Sequence, residues 1–443
     1  MLTKDENELL TRVGPGTPMG NLLREYWLPA MMSAELAAPD GPPVRVRLLC
    51  ENLIAFRTTS GEVGIVQNSC PHRGASMFFG RNEEEGLRCV YHGWKFDVAG
   101  NCVDMPSEPA ESNFKSKVRT RAYPTRERGG LVWVYMGPRE VPPPLPELEA
   151  NMLPEGQYTL GSYSSECNWL QSLEGDYDTI HLGFLHQGSI RPEDLKPGTI
   201  EYYVVKTRWA RFVTAETEFG CTYGCNRPAE EDTTYWRLAH FLFPFYAMIP
   251  TVPLGTRKTF IAVVPIDDEN CIRFTMNQLL PGESLRGAPA PEYEGRTTGY
   301  NFEPRHNTSD WLGRFNLAGN ARNDYLIDRD IQRSNAGGMG YSGIPGRGQD
   351  GAVTESMGVI YQRDHEHLGV TDAGIIRMRR SLIKATRALR DAGATPPGVD
   401  KPQLYKVRSG SIILPNGVNG VAETRELQWK ALTEEPARME ARP

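Results

Sequence analysis

Cys70, His72, Cys89 and His92 form two short pairs, Cys-Pro-His and Cys-Val-Tyr-His, separated by sixteen residues. Thiolates and neutral imidazoles are the donors that soft and borderline metals select. Two of each can close a tetrahedral zinc site. They can equally hold a [2Fe-2S] cluster, with two cysteines on one iron and two histidines on the other. Three details favour the cluster. The alternating order Cys, His, Cys, His lets each segment give one donor to each iron. Gly74 and Gly93 stand beside the ligands, where backbone N–H groups can approach bridging sulfides. The interval reads as strand and turn, whereas a zinc finger would close on a helix.

A second set lies at 174 to 186, Glu-Gly-Asp-Tyr-Asp-Thr-Ile-His-Leu-Gly-Phe-Leu-His. On a helix, Asp178 and His181 share a face, so the carboxylate can hold the second ring nitrogen and fix the tautomer. His186 follows five residues later, about 140° round an ideal helix. Both imidazoles reach one metal only if the helix distorts between them, and Gly183 is the expected place for a bulge or break. Two imidazoles plus one carboxylate make the facial triad of mononuclear non-haem Fe(II), which leaves positions open for dioxygen and substrate. The residues alone leave that carboxylate open among Asp350, Glu355, Asp328 and Asp330.

The elements that must position these groups differ along the chain. Residues 17–26 read as a short helix. Val44 to Leu49, Leu53 to Arg57 and Val63 to Gln67, separated by turn residues at 58–61, describe an antiparallel meander. Further strands are expected at Leu87 to Val90, Lys95 to Asp97 and Leu131 to Tyr135. This part is all-β, with both ligand pairs in loops. Five prolines between Pro138 and Pro146 mark an extended, semi-rigid linker. Beyond it come helical text at 166–186, strand-like runs at 202–207, 236–243 and 259–264, and helix again at 310–333. Asp372 to Ala392 reads as an amphipathic surface helix. No βαβ rhythm occurs, so the fold class is α+β. The expected division is a helical segment 1–26, a β domain 27–137, a linker 138–149 and an α+β domain 150–443.

The chain has 443 residues, a formal net charge of -6 and 39% hydrophobic residues. No basic excess points to nucleic acid or an anionic membrane. The acidic start is unlike a secretory signal, and no apolar run reaches the roughly 18 residues of a membrane span. A soluble, cytoplasmic protein is expected. The eight cysteines are read as free thiols and metal ligands. Cys221 and Cys225 lack the second pair a zinc site needs.

The stretch from Asn68 to Asp97 resembles the Rieske domain of aromatic-ring-hydroxylating oxygenases, whose motif is C-x-H, a gap of this length, then C-x2-H. The 174–186 block resembles the same family's acidic residue or Asn, x3, Asp, x2, His, x4, His. Residues 349–358, with Asp350 and then Glu355, resemble its C-terminal helix, where the Asp is the third iron ligand. Residues 11–20, 166–169, 323–329 and 355–358 extend the resemblance over nearly the whole length, towards the phthalate 4,5-dioxygenase oxygenase branch. A Rieske domain followed by a helix-grip (START-like) catalytic domain, an antiparallel sheet covered by helices, is therefore expected.

The resemblance implies one [2Fe-2S] cluster and one mononuclear Fe(II) per subunit, held by His181, His186 and Asp350. It implies a terminal oxygenase that hydroxylates an aromatic substrate, an aromatic carboxylate such as phthalate or a related benzoate. Head-to-tail homotrimers are implied, with stacking into a hexamer an open question; Asp178 would bridge His181 to His92 of the neighbour, and Glu174 would support it. Residues 338–343 fit G-x-G-x-x-G but follow helical text, and there is no plant-type ferredoxin cysteine series. A separate NAD(P)H-dependent flavin/iron-sulfur reductase is thus implied. Arg208, Arg211 and Arg237 are candidates to grip a carboxylate, unless they are plain surface strand residues, and Thr179 would line the same pocket. Single hydroxylation or O-demethylation is the alternative outcome. An electron carrier without oxygenase activity, with about two rather than three irons per subunit, is the alternative class.

Overall fold

The computed structural model describes residues 1–109, 111–281, 292–293, 296–297, 302–303, 310–335, 340–346 and 348–425. Gly338 and Met339 of the G-x-G-x-x-G stretch lie outside them. Two helices open the chain: α1 (Lys4–Thr11), with Thr3 and Glu6 closing a capping box, and α2 (Pro18–Arg24), capped by Thr17 with Pro at its first position. Both caps satisfy backbone N–H groups that a helix start leaves free.

Three small antiparallel sheets follow. One pairs Val44–Leu48, Glu51–Arg57, Val63–Gln67 and Ala122–Tyr123; another pairs Trp27–Met32, Leu131–Tyr135 and Thr125–Arg128. The third pairs Arg81–Glu83, Gly86–Arg88, Lys95–Phe96 and Cys102–Asp104, strands of two or three residues that frame the ligand loops. Ile54, Phe56, Val66, Met77, Leu87, Trp94 and Phe96 form a core that also takes in Cys70 and Cys89. The proline-rich stretch is a strap rather than a free spacer. Trp27 Nε1 donates to the Pro143 carbonyl at 2.6 Å, and Arg139 pairs with Glu25 at 3.2 Å and Asp400 at 2.5 Å.

The second part carries an eight-stranded antiparallel sheet. Its order is Tyr158–Ser165, Cys271–Gln278, Thr259–Pro265, Tyr246–Met248, Thr233–Leu242, Gly220–Pro228 and Arg211–Thr217, with Gly410–Pro415 also pairing Thr233–Leu242. Helices α3 (Trp169–Tyr177) and α7 (Ala373–Ala392) pack on this sheet. The β-rich part is locked to it. Arg45 lies 3.3 Å over the Phe78 ring and 5.5 Å from the Trp311 ring, and Arg314 pairs with the buried Glu35. Among the described residues no helix is long and apolar enough to cross a membrane.

Two local expectations fail. Residues 202–206 are not a strand but part of helix α4 (Ile200–Lys206), with Thr207 as its C-cap: the Thr199 hydroxyl accepts Tyr202 N–H at the other end, and Tyr203, Val204 and Val205 pack inwards. Burial and the cap override the strand preference of those residue types. The stretch 310–333 is not one helix. It breaks into a short strand Asn316–Leu317, a 3₁₀ segment Ala321–Leu326 with Asp324, Tyr325 and Leu326 at positive φ, and α5 (Arg329–Ser334).

Candidate metal centres

The first two ligand pairs lie in loops that copy one another. Cys70 N–H donates to the Ala75 carbonyl (2.8 Å) and Gly74 N–H to the Cys70 carbonyl (2.9 Å); Cys89 N–H donates to Trp94 (2.9 Å) and Gly93 N–H to Cys89 (2.9 Å). Gly74 and Gly93 both sit at φ +77°, a left-handed conformation costly to any residue with a Cβ. Each loop tucks its cysteine inwards. Cys70 and Cys89 are 3% and 2% exposed. Burial first, and the neighbouring Cys89 thiol second, push the Cys70 thiol up to about 11, and a bound cation would reverse that by holding the thiolates. The imidazoles sit outward, His72 edge-on to His92 with centroids 4.4 Å apart, Trp94 stacked on His72 at 4.2 Å and Tyr91 against His92 at 3.9 Å. Paired inner thiols and paired outer imidazoles fit the donor set that a [2Fe-2S] cluster of this kind would take.

The second centre is assembled differently. Helix α3 starts at Asn168, whose side chain accepts Leu170 N–H, and stops at Asp178, where ψ turns to 144°. The break is therefore at Asp178 and not at Gly183, ahead of both histidines. Asp178 folds the chain round itself: Oδ1 accepts Ile180 N–H at 2.9 Å, and Oδ2 accepts His181 N–H at 3.2 Å and faces His181 Nδ1 at 3.0 Å. An aspartate that binds the backbone two and three residues on competes with helix continuation. A 3₁₀ turn, His181–Gly183, follows. It brings His186 Nε2 to 3.2 Å from His181 Nε2.

Helix α6 (Gly348–Glu355) brings a carboxylate, that of Asp350, to the two Nε2 atoms. Asp350 Oδ1 lies 3.1 Å from His186 Nε2 and 3.7 Å from His181 Nε2, and one ligand atom from each of the three residues falls within 4.8 Å of the others. Two Nε2 atoms and one carboxylate oxygen at that spacing fit a facial triad. Burial opposes ionisation of Asp178 and Asp350, yet His181 for the first, and His186 with His181 for the second, hold both carboxyls below the usual value. Burial likewise opposes the His186 cation, but Asp350 outweighs it and raises that imidazole.

The three other candidate carboxylates are engaged elsewhere. Glu355 accepts the Tyr325 hydroxyl at 2.6 Å and Glu166 N–H at 3.2 Å, Asp328 caps α5, and Asp330 pairs with Arg333 at 2.6 Å. Glu174 turns away from the histidines to Arg363 (3.1 Å) and Arg379 (2.6 Å). One residue escaped the sequence reading. Gln349 Oε1 stands 2.6 Å from His186 Nδ1, and its position next to Asp350 was the available signal.

Around the site, Thr179 is buried. Arg208 spends its donors on the carbonyls of Gln187, Gly188 and Ile190 and lies over the Phe184 ring, so it braces the loop after His186. Arg211 is exposed at a strand start beside Trp209. Arg237 is 5% exposed, opposite Cys225 on the sheet face it shares with Tyr223, and Tyr223 donates to the Tyr177 carbonyl at 2.7 Å. Cys221 and Cys225 are buried strand residues: the Tyr177 hydroxyl lies 3.6 Å from Cys221 Sγ, and Arg227 donates to Cys225 Sγ at 3.3 Å.

Residues 26–124 match the Rieske [2Fe-2S] domain family and residues 134–438 the family described as LigXa C-terminal domain like. The chain is 46% identical to the 3-chlorobenzoate-3,4-dioxygenase oxygenase subunit of Comamonas testosteroni, over 94% of this chain and 96% of that one. It is 35% identical to the phthalate 4,5-dioxygenase oxygenase subunit of Pseudomonas putida, over 91% and 90%. In fold it resembles the oxygenase in the reduced oxygenase–ferredoxin complex of carbazole 1,9a-dioxygenase, with TM-score 0.51 and 18% identity over 86% of this chain and 93% of that one. With the paired ligand loops and the 181, 186, 350 triad joined in one chain, this protein belongs to the Rieske non-haem iron aromatic-ring-hydroxylating oxygenases.

Proposed function

We propose that the protein is the terminal oxygenase that hydroxylates an aromatic carboxylate, drawing electrons from a separate NAD(P)H-dependent reductase. On this reading Cys70, His72, Cys89 and His92 hold the [2Fe-2S] cluster, and His181, His186 and Asp350 hold the iron. When bound, the cluster supplies single electrons and the iron supplies the site of oxygen activation. Asp178 keeps the His181 proton on Nδ1, so that Nε2 faces the metal. Its side chain remains 31% exposed, which suits a second bond to His92 of a neighbouring subunit in a head-to-tail trimer.

The carboxylate preference rests on Arg237. Its Nε and Nη1 lack a hydrogen-bond partner among the described residues although the side chain is buried. Unpaired buried guanidinium donors are costly. A carboxylate matches that planar fork, and two relatives are named for chlorobenzoate and phthalate. Thr179 and the Tyr223 side of the sheet would border the ring.

Oxygen and NADH consumption with a reductase across benzoates and phthalates, with product identification separating diols from single hydroxylation, tests this reading. Arg237→Gln is expected to raise KM for the carboxylate at least tenfold. Asp178→Asn is expected to keep both metals and lower product formation by about two orders of magnitude or more. A normal single-turnover yield in Asp178→Asn would refute the bridge.

A further inference from the structure

We propose that Gln349 is the positioning residue of the second iron imidazole, and that Ser342 holds it in that task; this rests on the reading of His181, His186 and Asp350 as the iron ligands. An imidazole that offers Nε2 to a metal carries its proton on Nδ1, and that proton needs an acceptor. For His181 the acceptor is the Asp178 carboxylate, 3.0 Å away. For His186 it is Gln349 Oε1 at 2.6 Å. The two imidazoles, equivalent as ligands, are thus anchored by a charged group and by a neutral amide.

The orientation of that amide follows from the chemistry. Oε1 must face the Nδ1 proton, which leaves Nε2 as a donor, and Nε2 lies 2.8 Å from Ser342 Oγ. A reversed amide would set donor against donor. Gln349 is 3% exposed, so water cannot readily take its place. It also precedes Asp350 in α6, so the start of one helix provides the third ligand and the clamp on the second.

Ser342 is itself held. Its carbonyl accepts Gln332 Nε2 at 3.2 Å, the Gly343 carbonyl accepts Asp328 N–H at 2.7 Å, and its hydroxyl accepts Ile344 N–H at 3.2 Å. Next to it, the Tyr341 ring packs against Phe184 at 5.9 Å and against Gly188, where a Cβ would stand 2.3 Å from Tyr341 Cγ. The segment after the G-x-G pair of the glycine-rich stretch therefore clasps the chain on both sides of His186 and reaches the ring through Gln349.

The test uses full-length protein with the cluster retained and oxidised, hence EPR-silent, and the mononuclear metal removed by a chelator. Cobalt(II) binding is followed by equilibrium dialysis and by the EPR spectrum of the bound ion. Gln349→Leu is expected to weaken cobalt binding about 10- to 100-fold and change the spectrum, with cluster absorbance unchanged. Gln349→Glu restores an acceptor, so affinity should return with a shifted spectrum, and Ser342→Ala should weaken binding a few-fold. Cobalt affinity and spectrum in Gln349→Leu equal to the parent would overturn the proposal. If Gln349→Leu fails to fold, unaltered binding in Ser342→Ala overturns it instead. Cobalt binding that survives Asp350→Ala unchanged would instead refute the ligand assignment beneath it.

Discussion

The two candidate metal centres share imidazole donors and are built by opposite routes. Each cluster loop is closed by its own backbone, with the same pair of hydrogen bonds and the same glycine at φ +77°. The cluster of His181, His186 and Asp350 has no such local frame among the described residues. Its histidines follow a broken helix, its carboxylate comes from α6, and Gln349, beside His186 Nδ1, is 163 residues away. Long-range polar contacts replace local ones. Glu174 of α3 binds Arg363 and Arg379, Asn168 at the head of α3 donates to the carbonyls of Thr11 and Asp268, and Arg363 reaches Asn7 of α1. A site made of local loops should tolerate distant substitutions; one made of packing should not.

The largest effect expected is from Asp350→Ala. It should abolish turnover and lower iron from about three to about two per subunit while leaving the cluster spectrum intact. Metal analysis beside visible absorbance decides it, and loss of both metals would show that the two centres are not independently built.

Glu174→Ala comes next. It takes the carboxylate from Arg363, which is 0% exposed and among the described residues keeps only Asn7 Oδ1 and the Tyr361 carbonyl, and leaves Arg379, 4% exposed, with Glu366 alone; removing one partner of a buried ion pair costs about 3–5 kcal/mol. Denaturant unfolding followed by catalytic-domain tryptophans should show this, with the cluster absorbance lost only later. Simultaneous loss would mean that the halves unfold as one unit.

A pH effect of about 3 kcal/mol is expected from His240, which lies in the catalytic sheet alone. Burial lowers its imidazole to about 4 in the fold, against about 6.5 when unfolded. The unfolded chain then binds the extra proton first, so this contribution is complete above about pH 6.5 and is lost as pH falls from 6.5 towards 4. His240→Gln should flatten the pH dependence of catalytic-domain unfolding across that window.

The smallest difference separates the matched loops. Ala at Gly74 or Gly93 incurs the left-handed cost of about 1–2 kcal/mol. At Gly74 the new Cβ meets open space, whereas at Gly93 it lies 2.7 Å from Pro106 Cγ. Gly93→Ala should therefore lower the melting temperature of the cluster absorbance more than Gly74→Ala. Equal shifts would mean that Pro106 yields freely.

This contrast explains what could be read in advance. The Cys70, His72, Cys89, His92 spacing is legible because a hydrogen-bonded loop fixes both the ligand interval and the glycine after it. The meander at 44–67 and the helix at 373–392 are legible for a like reason, since strand alternation and helical periodicity are local. The strand expected at 202–207 and the helix expected through His181 failed because a threonine cap and an aspartate side chain, each binding nearby N–H groups, redirected the backbone.

The sequence by itself determined the donor types, the two-part α+β organisation and the cluster loops, since these depend on residues a few positions apart. Only the tertiary structure decided which of four carboxylates meets the histidines, that Glu174 serves an ion pair, that Arg208 braces a loop while Arg237 Nε and Nη1 find no partner among the described residues, and that Gln349 stands behind His186. Those choices depend on which distant segments pack together, and packing is set by the burial of the whole sheet and its helices, which no short spacing records.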